Sequence, residues 1–177
     1  MKITERKTLR LSSMFDASVR VGYRIAYRLW RLYLRFYKRE TFGAQVAVCY
    51  RQKVLLIKSS YRGTYSFPGG YVNRGEASEE CASREVKEEA GLDIPSTMLR
   101  SVFSATYQCG GHLGHDEIFE FSVDAVPDVS IDNREIIFAE FIDMSHALSL
   151  PLDDQVRRYI NSHVNLPKGR LSSSYAY

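Results

Sequence analysis

Residues 70–92 read GYVNRGEASEECASREVKEEAGL, and the rest of the chain is organised around this stretch. If its second half is helical, Glu85, Glu88 and Glu89 lie at positions i, i+3 and i+4, within one turn and on one face. Three like charges this close repel one another, so folding alone gives no reason to gather them. A hard divalent cation such as Mg²⁺ or Mn²⁺ does, because it binds oxygen ligands and leaves positions for substrate phosphates.

The flanking residues predict where this helix begins and ends. Ser78 is suited to the N-cap, and Gly91 is suited to the left-handed position that follows a helix. Ala82 and Val86 belong to an apolar stripe beside the acidic face. We therefore expect one side of the helix to pack on a core and the acidic side to face a cleft. There the carbonyl of Gly70 could serve as a further cation ligand.

The same stretch resembles the Nudix box, G-x5-E-x7-R-E-U-x-E-E-x-G-U with U aliphatic, and it matches the box at every specified position. The likeness continues in residues 43–48, 54–58 and 65–70 before the box and in residues 135–141 after it. It therefore covers residues 42–163. The resemblance implies an α/β fold, a Nudix-type α/β/α sandwich with a mixed sheet.

The resemblance also implies a function. Nudix proteins of this kind are metal-dependent hydrolases that cleave the diphosphate linkage of a nucleoside diphosphate joined to another moiety, with Mg²⁺ or Mn²⁺ as cofactor. Glu76 and Arg84 match the pair that braces the box loop against the helix. The residues that match the family's cation ligands are Glu85, Glu88, Glu89 and Gly70.

The general base is open at this level. Glu89 belongs to the acidic cluster and could deprotonate a bound water. Family members often use an acid in a later loop instead, and Glu135 best matches that position. Glu117 and Glu120 are alternatives, and each of these three acids could equally be a solvated surface carboxylate.

Substrate-binding candidates lie just upstream of the box. Lys58 follows an apolar strand where the family often carries a cation for substrate phosphates. Arg62, with Tyr61 and Tyr65 beside it, could bind phosphate or stack on a base. The alternative for each is an ordinary surface residue.

The N-terminal part carries a strong positive charge. Residues 1–39 hold eleven Lys or Arg and two acids, a net +9, while the rest of the chain has a net −6. We predict loose order up to residue 15 and an amphipathic helix from Asp16 to about Lys38. Its arginines fall in one arc, its aliphatic residues in the adjacent arc and its aromatic residues in the remainder.

So wide an apolar surface must be covered. The candidates are the chain's own catalytic body, a second copy of the chain, or an anionic membrane surface. Ile25, Leu29, Leu32 and Phe36 alternate like a short coiled-coil seam, which would make a homodimer. Arginines beside Trp30 and tyrosines would suit a lipid surface. Nucleic acid is the least favoured partner.

The remaining pattern predicts strands and one closing helix. Period-two segments predict strands at 43–50, 53–58, 99–109, 117–124 and 136–142, and a helix follows at 152–163. We divide the chain into a basic and aromatic helix (1–41), a Nudix hydrolase domain (42–163) and a flexible tail (164–177).

Three cysteines, an odd number, favour a reducing cytoplasm over a disulfide framework. Cys109, His112 and His115 imitate a zinc site, but a glycine-rich hairpin explains them better. We find neither an 18-residue apolar run nor a secretory signal pattern, so we expect a cytoplasmic protein, with peripheral membrane contact open. Two rival functions are a Nudix-like module that binds nucleotides without cleaving them and a membrane- or partner-tethered scaffold.

Overall fold

The computed structural model describes residues 2–37, 40–109 and 112–164. The predicted tail from residue 165 onward and the two glycines of the predicted hairpin lie outside this part of the chain. In chain order the elements are α1 (Lys2–Tyr37), β1 (Thr41–Tyr50), β2 (Lys53–Ser59), β3 (Gly69–Tyr71), α2 (Ser78–Ala90), a 3-10 turn (Ser96–Met98), β4 (Arg100–Cys109), β5 (His112–Ser122), β6 (Ile136–Asp143), α3 (Met144–Ala147) and α4 (Asp154–Val164).

The six strands form one mixed sheet in the order β4-β5-β1-β2-β6, and β3 pairs with β1 beside this path. Strands β1 and β5 run parallel, with Gly43 opposite Asp116 and Ala44 opposite Glu117. The other pairings are antiparallel. Strand β1 is therefore the centre of the sheet, and its first residues lie between β3 and β5.

Helices cover both faces of the sheet. Ala44, Val46 and Val48 of β1 belong to the core under α2, whereas Ala47 and Cys49 belong to the core under α3 and α4. A strand buried on both faces becomes a nearly continuous apolar run, which is the pattern of β1. The predicted α/β/α sandwich with a mixed sheet is confirmed.

Helix α2 buries Ala82, Val86 and Ala90, the predicted stripe and its continuation. Gly91 ends the helix in the left-handed conformation, with φ 72° and ψ 14°. The predicted N-cap at Ser78 is wrong, because the cap position is Ala77. Alanine offers no side-chain acceptor, so the cap is stabilised from the other side, where Glu80 accepts a hydrogen bond from the Ala77 N–H at 3.2 Å.

Helix α1 begins at Lys2 and not at Asp16 as predicted. Residues 2–15 contain neither proline nor glycine, so nothing in their sequence stops a helix from extending back to the start. Across the described helices, none combines the length and the apolarity that a membrane crossing requires. Cys49 and Cys81 are buried free thiols.

Glu120 ties the closing helix to the sheet. Its carboxylate accepts hydrogen bonds from Tyr159 Oη at 2.6 Å and Arg100 Nη2 at 2.5 Å, and His163 Nε2 lies 3.4 Å away. The hydrogen bond to His163, together with those from Tyr159 and Arg100, lowers the pKa of Glu120 to about 2 despite partial burial. This carboxylate therefore favours the folded state whenever it is ionised.

Glu120→Gln should lower the free energy of unfolding by about 2–3 kcal/mol at pH 7, since the replaced carboxylate has a depressed pKa. That stabilisation is complete above the unfolded pKa near 4.5 and disappears as the pH falls toward 2. Urea unfolding at pH 7, 4 and 3 measures it. Glu140→Gln, an exposed change on β6, is the control and should stay within about 0.5 kcal/mol. A Glu120→Gln penalty of equal size at pH 7 and pH 3 would contradict the assignment.

Candidate active site

A cleft of about 700 Å³ opens where the start of β1 meets β3, α2, the β4–β5 pair and the start of α4. Its described lining is strongly charged. The acidic residues are Glu85, Glu89, Asp116, Glu135, Asp153 and Asp154, and the basic ones are Arg62, Arg84 and Arg158. Carboxylates and guanidinium groups on one wall can receive both a cation and the phosphates that the cation binds.

Helix α2 directs Glu85 and Glu89 into this cleft because its apolar stripe is fixed against the sheet. Glu89 Oε2 accepts a hydrogen bond from the Gly69 N–H at 2.8 Å. Glu85 Oε1 accepts one from Arg84 Nη1 at 2.6 Å, and its side chain is 15% exposed. The two carboxylates are thus held one helical turn apart at the same wall.

The glycine pair before the box allows this close approach. A Cβ at Gly70 would lie 2.3 Å from Glu85 Oε1, and a Cβ at Gly69 would lie 2.4 Å from the Ala44 carbonyl oxygen. Both distances are far shorter than a van der Waals contact. Strand β3 can therefore pair with β1 as it does because Gly69 has no side chain, and Gly70 leaves room for the Glu85 carboxylate beside it.

Arg84 organises the carboxylates around it. Its guanidinium donates to Glu76 twice, at 2.8 Å from Nε to Oε1 and 3.1 Å from Nη2 to Oε2. This two-point ion pair connects the box loop to α2, and it lowers the pKa of Glu76 to about 2. Arg84 also lies 3.5 Å from Glu88, whose side chain is 60% exposed and does not line the cleft.

The acidic residues do not form a ready-made ion site. Among the residues that the structure describes, no three His, Cys, Asp or Glu side chains converge closely enough to hold a metal ion. Two of the four predicted ligands, Glu85 and Glu89, have carboxylates in the cleft lining, and Gly70 lies beside them. Glu88 is turned toward Arg84 instead.

The cleft nevertheless gathers carboxyl groups in partly buried surroundings that disfavour their ionised forms. Burial, assisted by the charges of Glu85 and Glu135 and opposed by the hydrogen bond from Gly69, raises the pKa of Glu89 to about 8. Burial, opposed by Arg84 and assisted by Glu88 and Glu135, also raises the pKa of Glu85. A bound cation would stabilise the ionised form of both carboxyl groups against burial and against the neighbouring acids, so the donor set fits a divalent ion.

Glu135 reaches the cleft from the loop before β6. Tyr61 Oη donates a hydrogen bond to Glu135 Oε1 at 2.9 Å, and the Glu135 carbonyl accepts one from the Ser60 N–H at 2.7 Å. Asp132 accepts hydrogen bonds from the backbone N–H groups of residues 134–136 and thereby shapes the loop. Burial and the nearby Glu135 carboxylate raise the pKa of Tyr61, which keeps the phenol a donor.

Helix α1 packs on both loops that meet at Glu135. Arg20 donates to the Asn133 carbonyl from Nε at 3.1 Å and from Nη2 at 2.6 Å, and Arg24 Nε donates to the Ser60 carbonyl at 3.0 Å. The Tyr27 ring lies 4.9 Å from the Tyr61 ring. Tyr23 and Tyr27 of α1 thus face the body of the protein, while the described residues of its aliphatic arc stay exposed.

The remaining predicted residues are distributed differently. Arg62 lines the cleft and lies 3.6 Å from Asp153 Oδ2. Lys58 and Tyr65 do not line it, and the Lys58 ammonium lies 4.9 Å above the Tyr65 ring. Two further predicted acids also lie outside the lining: Glu117, which accepts a hydrogen bond from Ser101 at 2.5 Å, and Glu120, which binds α4.

Cys109, His112 and His115 are the three residues whose spacing imitates a zinc site, and the structure describes the side chain of His115 alone. The side chains of Cys109 and His112 lie outside the part of the chain that the structure describes. His115 Nδ1 lies 3.1 Å from Thr106 Oγ1, and its Nε2 is 3.9 Å from Glu40.

Sequence reasoning missed the opposite wall of the cleft. Asp116 comes beside Gly43 because β5 runs parallel to β1, and a Cβ at Gly43 would lie 2.3 Å from Asp116 Oδ1. Tyr107 Oη donates to Asp116 at 3.5 Å, and burial raises the pKa of Asp116. Asp153, which bonds to Thr64, and Arg158 come from around the start of α4. Tyr107 could have been found from the sequence, because it lies beside the predicted hairpin. No local pattern in the sequence marks Asp116 or Asp153 as part of the cleft.

Comparisons with known proteins identify the family that this fold and site belong to. A family model described as NUDIX domain matches residues 41–163, which confirms the resemblance. YvcI of Bacillus subtilis (strain 168), an uncharacterized Nudix hydrolase, is 28% identical over 116 residues, covering 63% of this chain and 73% of that protein. The ADP-ribose pyrophosphatase of Methanocaldococcus jannaschii is 32% identical over 106 residues, covering 58% of this chain and 62% of that protein.

Solved structures agree on the fold. The C. elegans Ap4A hydrolase, determined as a binary complex, superposes with a TM-score of 0.59. The match covers 70% of this chain and 95% of that chain at 19% identity. At this identity the likeness establishes the fold alone.

Gly70→Ala should displace the Glu85 carboxylate, because the new Cβ would lie 2.3 Å from its Oε1. The displaced atoms end a flexible side chain, so the free energy of unfolding should change by no more than about 1 kcal/mol. The ¹³C signal of the Glu85 carboxyl group, followed in protein with labelled glutamate, should shift clearly.

Gly22→Ala is the control, since a Cβ at Gly22 meets nothing within 4 Å. It should leave the Glu85 signal unchanged and stabilise α1 by about 0.5–1 kcal/mol. An unshifted Glu85 signal in Gly70→Ala would mean that the carboxylate does not lie against the glycine.

Proposed function

Since the chain belongs to the Nudix hydrolase family, we propose that it is a pyrophosphohydrolase acting on a nucleoside diphosphate joined to another moiety. The reaction is hydrolysis of the diphosphate linkage with Mg²⁺ or Mn²⁺ as cofactor. We assign it to residues 42–163, with residues 1–41 as an N-terminal helical attachment.

One observation carries this proposal: Glu85, Glu89 and Glu135 line the same cleft as the guanidinium groups of Arg62 and Arg158. A diphosphate substrate carries roughly two negative charges, and arginine binds such phosphate groups well. The carboxylates alone would repel such a substrate, so they make chemical sense when a cation lies between them and the phosphates.

Nudix hydrolases generally depend on a divalent metal, and the donor set here fits a hard cation. We assign the cation to Glu85 and Glu89, with the Gly70 carbonyl beside them and Glu88 as a further ligand. When bound, such an ion neutralises the phosphates and lowers the pKa of a coordinated water. Among the described residues, Arg84 at 3.5 Å is the one hydrogen-bonding partner of the exposed Glu88 side chain, so Glu88 could turn toward a cation. Arg84 itself stays on Glu76 and keeps α2 against the box loop.

Two side chains are candidates for taking the proton of the attacking water, Glu135 and Glu89. The hydrogen bond from Tyr61 fixes the Glu135 carboxyl group through Oε1, so its position in the cleft is defined from the loop side. Glu89 is fixed from the opposite side by the Gly69 N–H. We place the water between these two carboxylates, because both line one cleft.

The names of the related proteins suggest the substrates to test first. Two of them carry the names ADP-ribose pyrophosphatase and Ap4A hydrolase. Tyr61, Tyr71 and Tyr107 line the cleft and offer faces on which a nucleobase could stack. A module that only binds nucleotides is the rival function, and it is disfavoured because Glu76, Glu85, Glu88 and Glu89 are all present.

Glu89→Gln should lower kcat by several orders of magnitude on whichever compound the wild-type protein cleaves, because it removes a carboxylate from the cation and water site. The assay is a panel of nucleoside diphosphate compounds, including ADP-ribose and Ap4A, with Mg²⁺ or Mn²⁺ and detection of released phosphate after phosphatase coupling. Glu79→Gln is the matched control, an exposed change in the first turn of the same helix. It should keep full activity. Binding of these compounds without cleavage by the wild-type protein would favour the rival function.

We propose that the exposed aliphatic arc of α1 is a partner surface. Val21, Ile25, Leu29 and Leu32 are each at least half exposed, with Arg24 and Arg28 beside them. Such a stripe suits either a second copy of the chain or the surface of an anionic membrane. A cytoplasmic location agrees with the buried free thiols of Cys49 and Cys81.

Leu29→Asp should weaken either association, since it places a charge in the centre of the stripe. Analytical ultracentrifugation measures the homodimer, and co-sedimentation with anionic liposomes at low and high salt measures the membrane contact. Val126→Asp, which places the same charge at an exposed apolar side chain in the loop after β5, outside α1, is the control. A wild-type protein that stays monomeric and ignores the liposomes at low salt would remove both partners.

A further inference from the structure

A second recess lies between α1 and the loop that follows β2. Its volume is about 450 Å³, and its described lining consists of Arg24, Tyr27 and Arg28 from α1 and of residues 60–63. Tyr61 and Arg62 line both this recess and the catalytic cleft, so the two spaces adjoin across these side chains. The recess exists only because α1 packs on the domain.

The lining of the recess carries more positive charge than nearby acids balance. Arg62 has an acidic partner, Asp153 at 3.6 Å on the side of the catalytic cleft. Arg24 and Arg28 have none among the described residues. Arg24, Arg28 and Arg62 contribute three guanidinium groups, and no aspartate or glutamate is among its described residues. Arg24 uses Nε for the Ser60 carbonyl. Among the described residues, no hydrogen bond or ion pair engages Arg28. Asp153 compensates Arg62 alone, so Arg24 and Arg28 repel each other across this space unless an anion lies between them.

Two buried polar atoms of this lining also lack partners among the described residues. They are Ser60 Oγ and Arg62 Nε. Ser60 is only 5% exposed. An unsatisfied buried donor is costly, and both of these groups can donate a hydrogen bond to an oxyanion. The unpaired donors and the unmatched charge therefore indicate the same kind of ligand.

We infer that this recess binds a phosphate group. Guanidinium groups bind phosphate through paired hydrogen bonds, and the rings of Tyr27 and Tyr61, which lie 4.9 Å apart, form one wall of the space. Because the recess continues the catalytic cleft past Arg62, its natural occupant is a second phosphate of the substrate, beyond the hydrolysed linkage. Free inorganic phosphate presents the same chemistry. Only the substrate as source rests on the proposed function.

The binding test uses the full chain, ¹⁵N-labelled, with EDTA present and ionic strength held constant with sodium chloride. Pyrophosphate is titrated while the Nε–Hε signals of the arginines are followed. The Arg28 signal should shift and saturate, and Arg28→Gln should weaken the binding seen at Arg62 by at least roughly tenfold. Arg51→Gln, at the far end of β1, is the charge-matched control and should leave binding unchanged.

The result that overturns the inference is an Arg28 signal that moves only in proportion to salt, or equal pyrophosphate affinity in Arg28→Gln and the wild type. Loss of catalytic activity does not affect this reading, since no metal or turnover is involved. The proposed function and the recess can therefore fail independently.

Kinetics then separates the two sources of phosphate. ADP-ribose and its 2′-phosphate are compared as substrates of the wild type and of Arg28→Gln. A KM that rises only for the phosphorylated compound assigns the recess to the substrate. Unchanged KM values for both, together with lost pyrophosphate binding, assign it to free phosphate. Equal increases for both compounds would mean a general charge effect and would overturn the site.

Discussion

The structure depends on one close approach, that of helix α2 to the glycines of β3. With no side chain at Gly69 or Gly70, the Gly69 N–H reaches Glu89 at 2.8 Å and Glu85 lies against Gly70. The buried stripe of α2 makes this approach favourable on its other side. Hydrophobic packing thus holds in place a set of carboxylates that would otherwise repel one another.

Arg84 balances that repulsion in the absence of a cation. One guanidinium binds Glu76 through two hydrogen bonds, and it also contacts Glu85 and Glu88. The same group therefore braces the box loop and shields two of the acids. Its ion pair with Glu76 holds the box loop against α2, whereas Glu85 and Glu89 extend into the cleft. This division explains why neighbouring glutamates of one helix lie in such different surroundings.

Helix α1 lies outside the family's domain and also helps to shape the cleft. Its arginines and tyrosines hold the loops that carry Ser60, Tyr61 and Glu135, so a segment outside residues 41–163 shapes one wall of the cleft. The body of the protein covers Tyr23 and Tyr27 of the aromatic arc. The aliphatic arc remains at the surface, and the arginines divide between the two roles.

Residues 70–92 by themselves determined the family, the helix, its glycine end and the carboxylates of Glu85 and Glu89, because these features depend on spacing within one element. Only the tertiary structure decided the opposite wall. Asp116 comes beside Gly43 through a parallel pairing of strands about seventy residues apart, and such pairing leaves no local pattern. Tertiary packing likewise turned Glu120 toward Tyr159, whereas the contact of Glu88 with Arg84 follows from their i,i+4 spacing within α2. A side chain's neighbours from other elements set its partners, and a single sequence does not contain them.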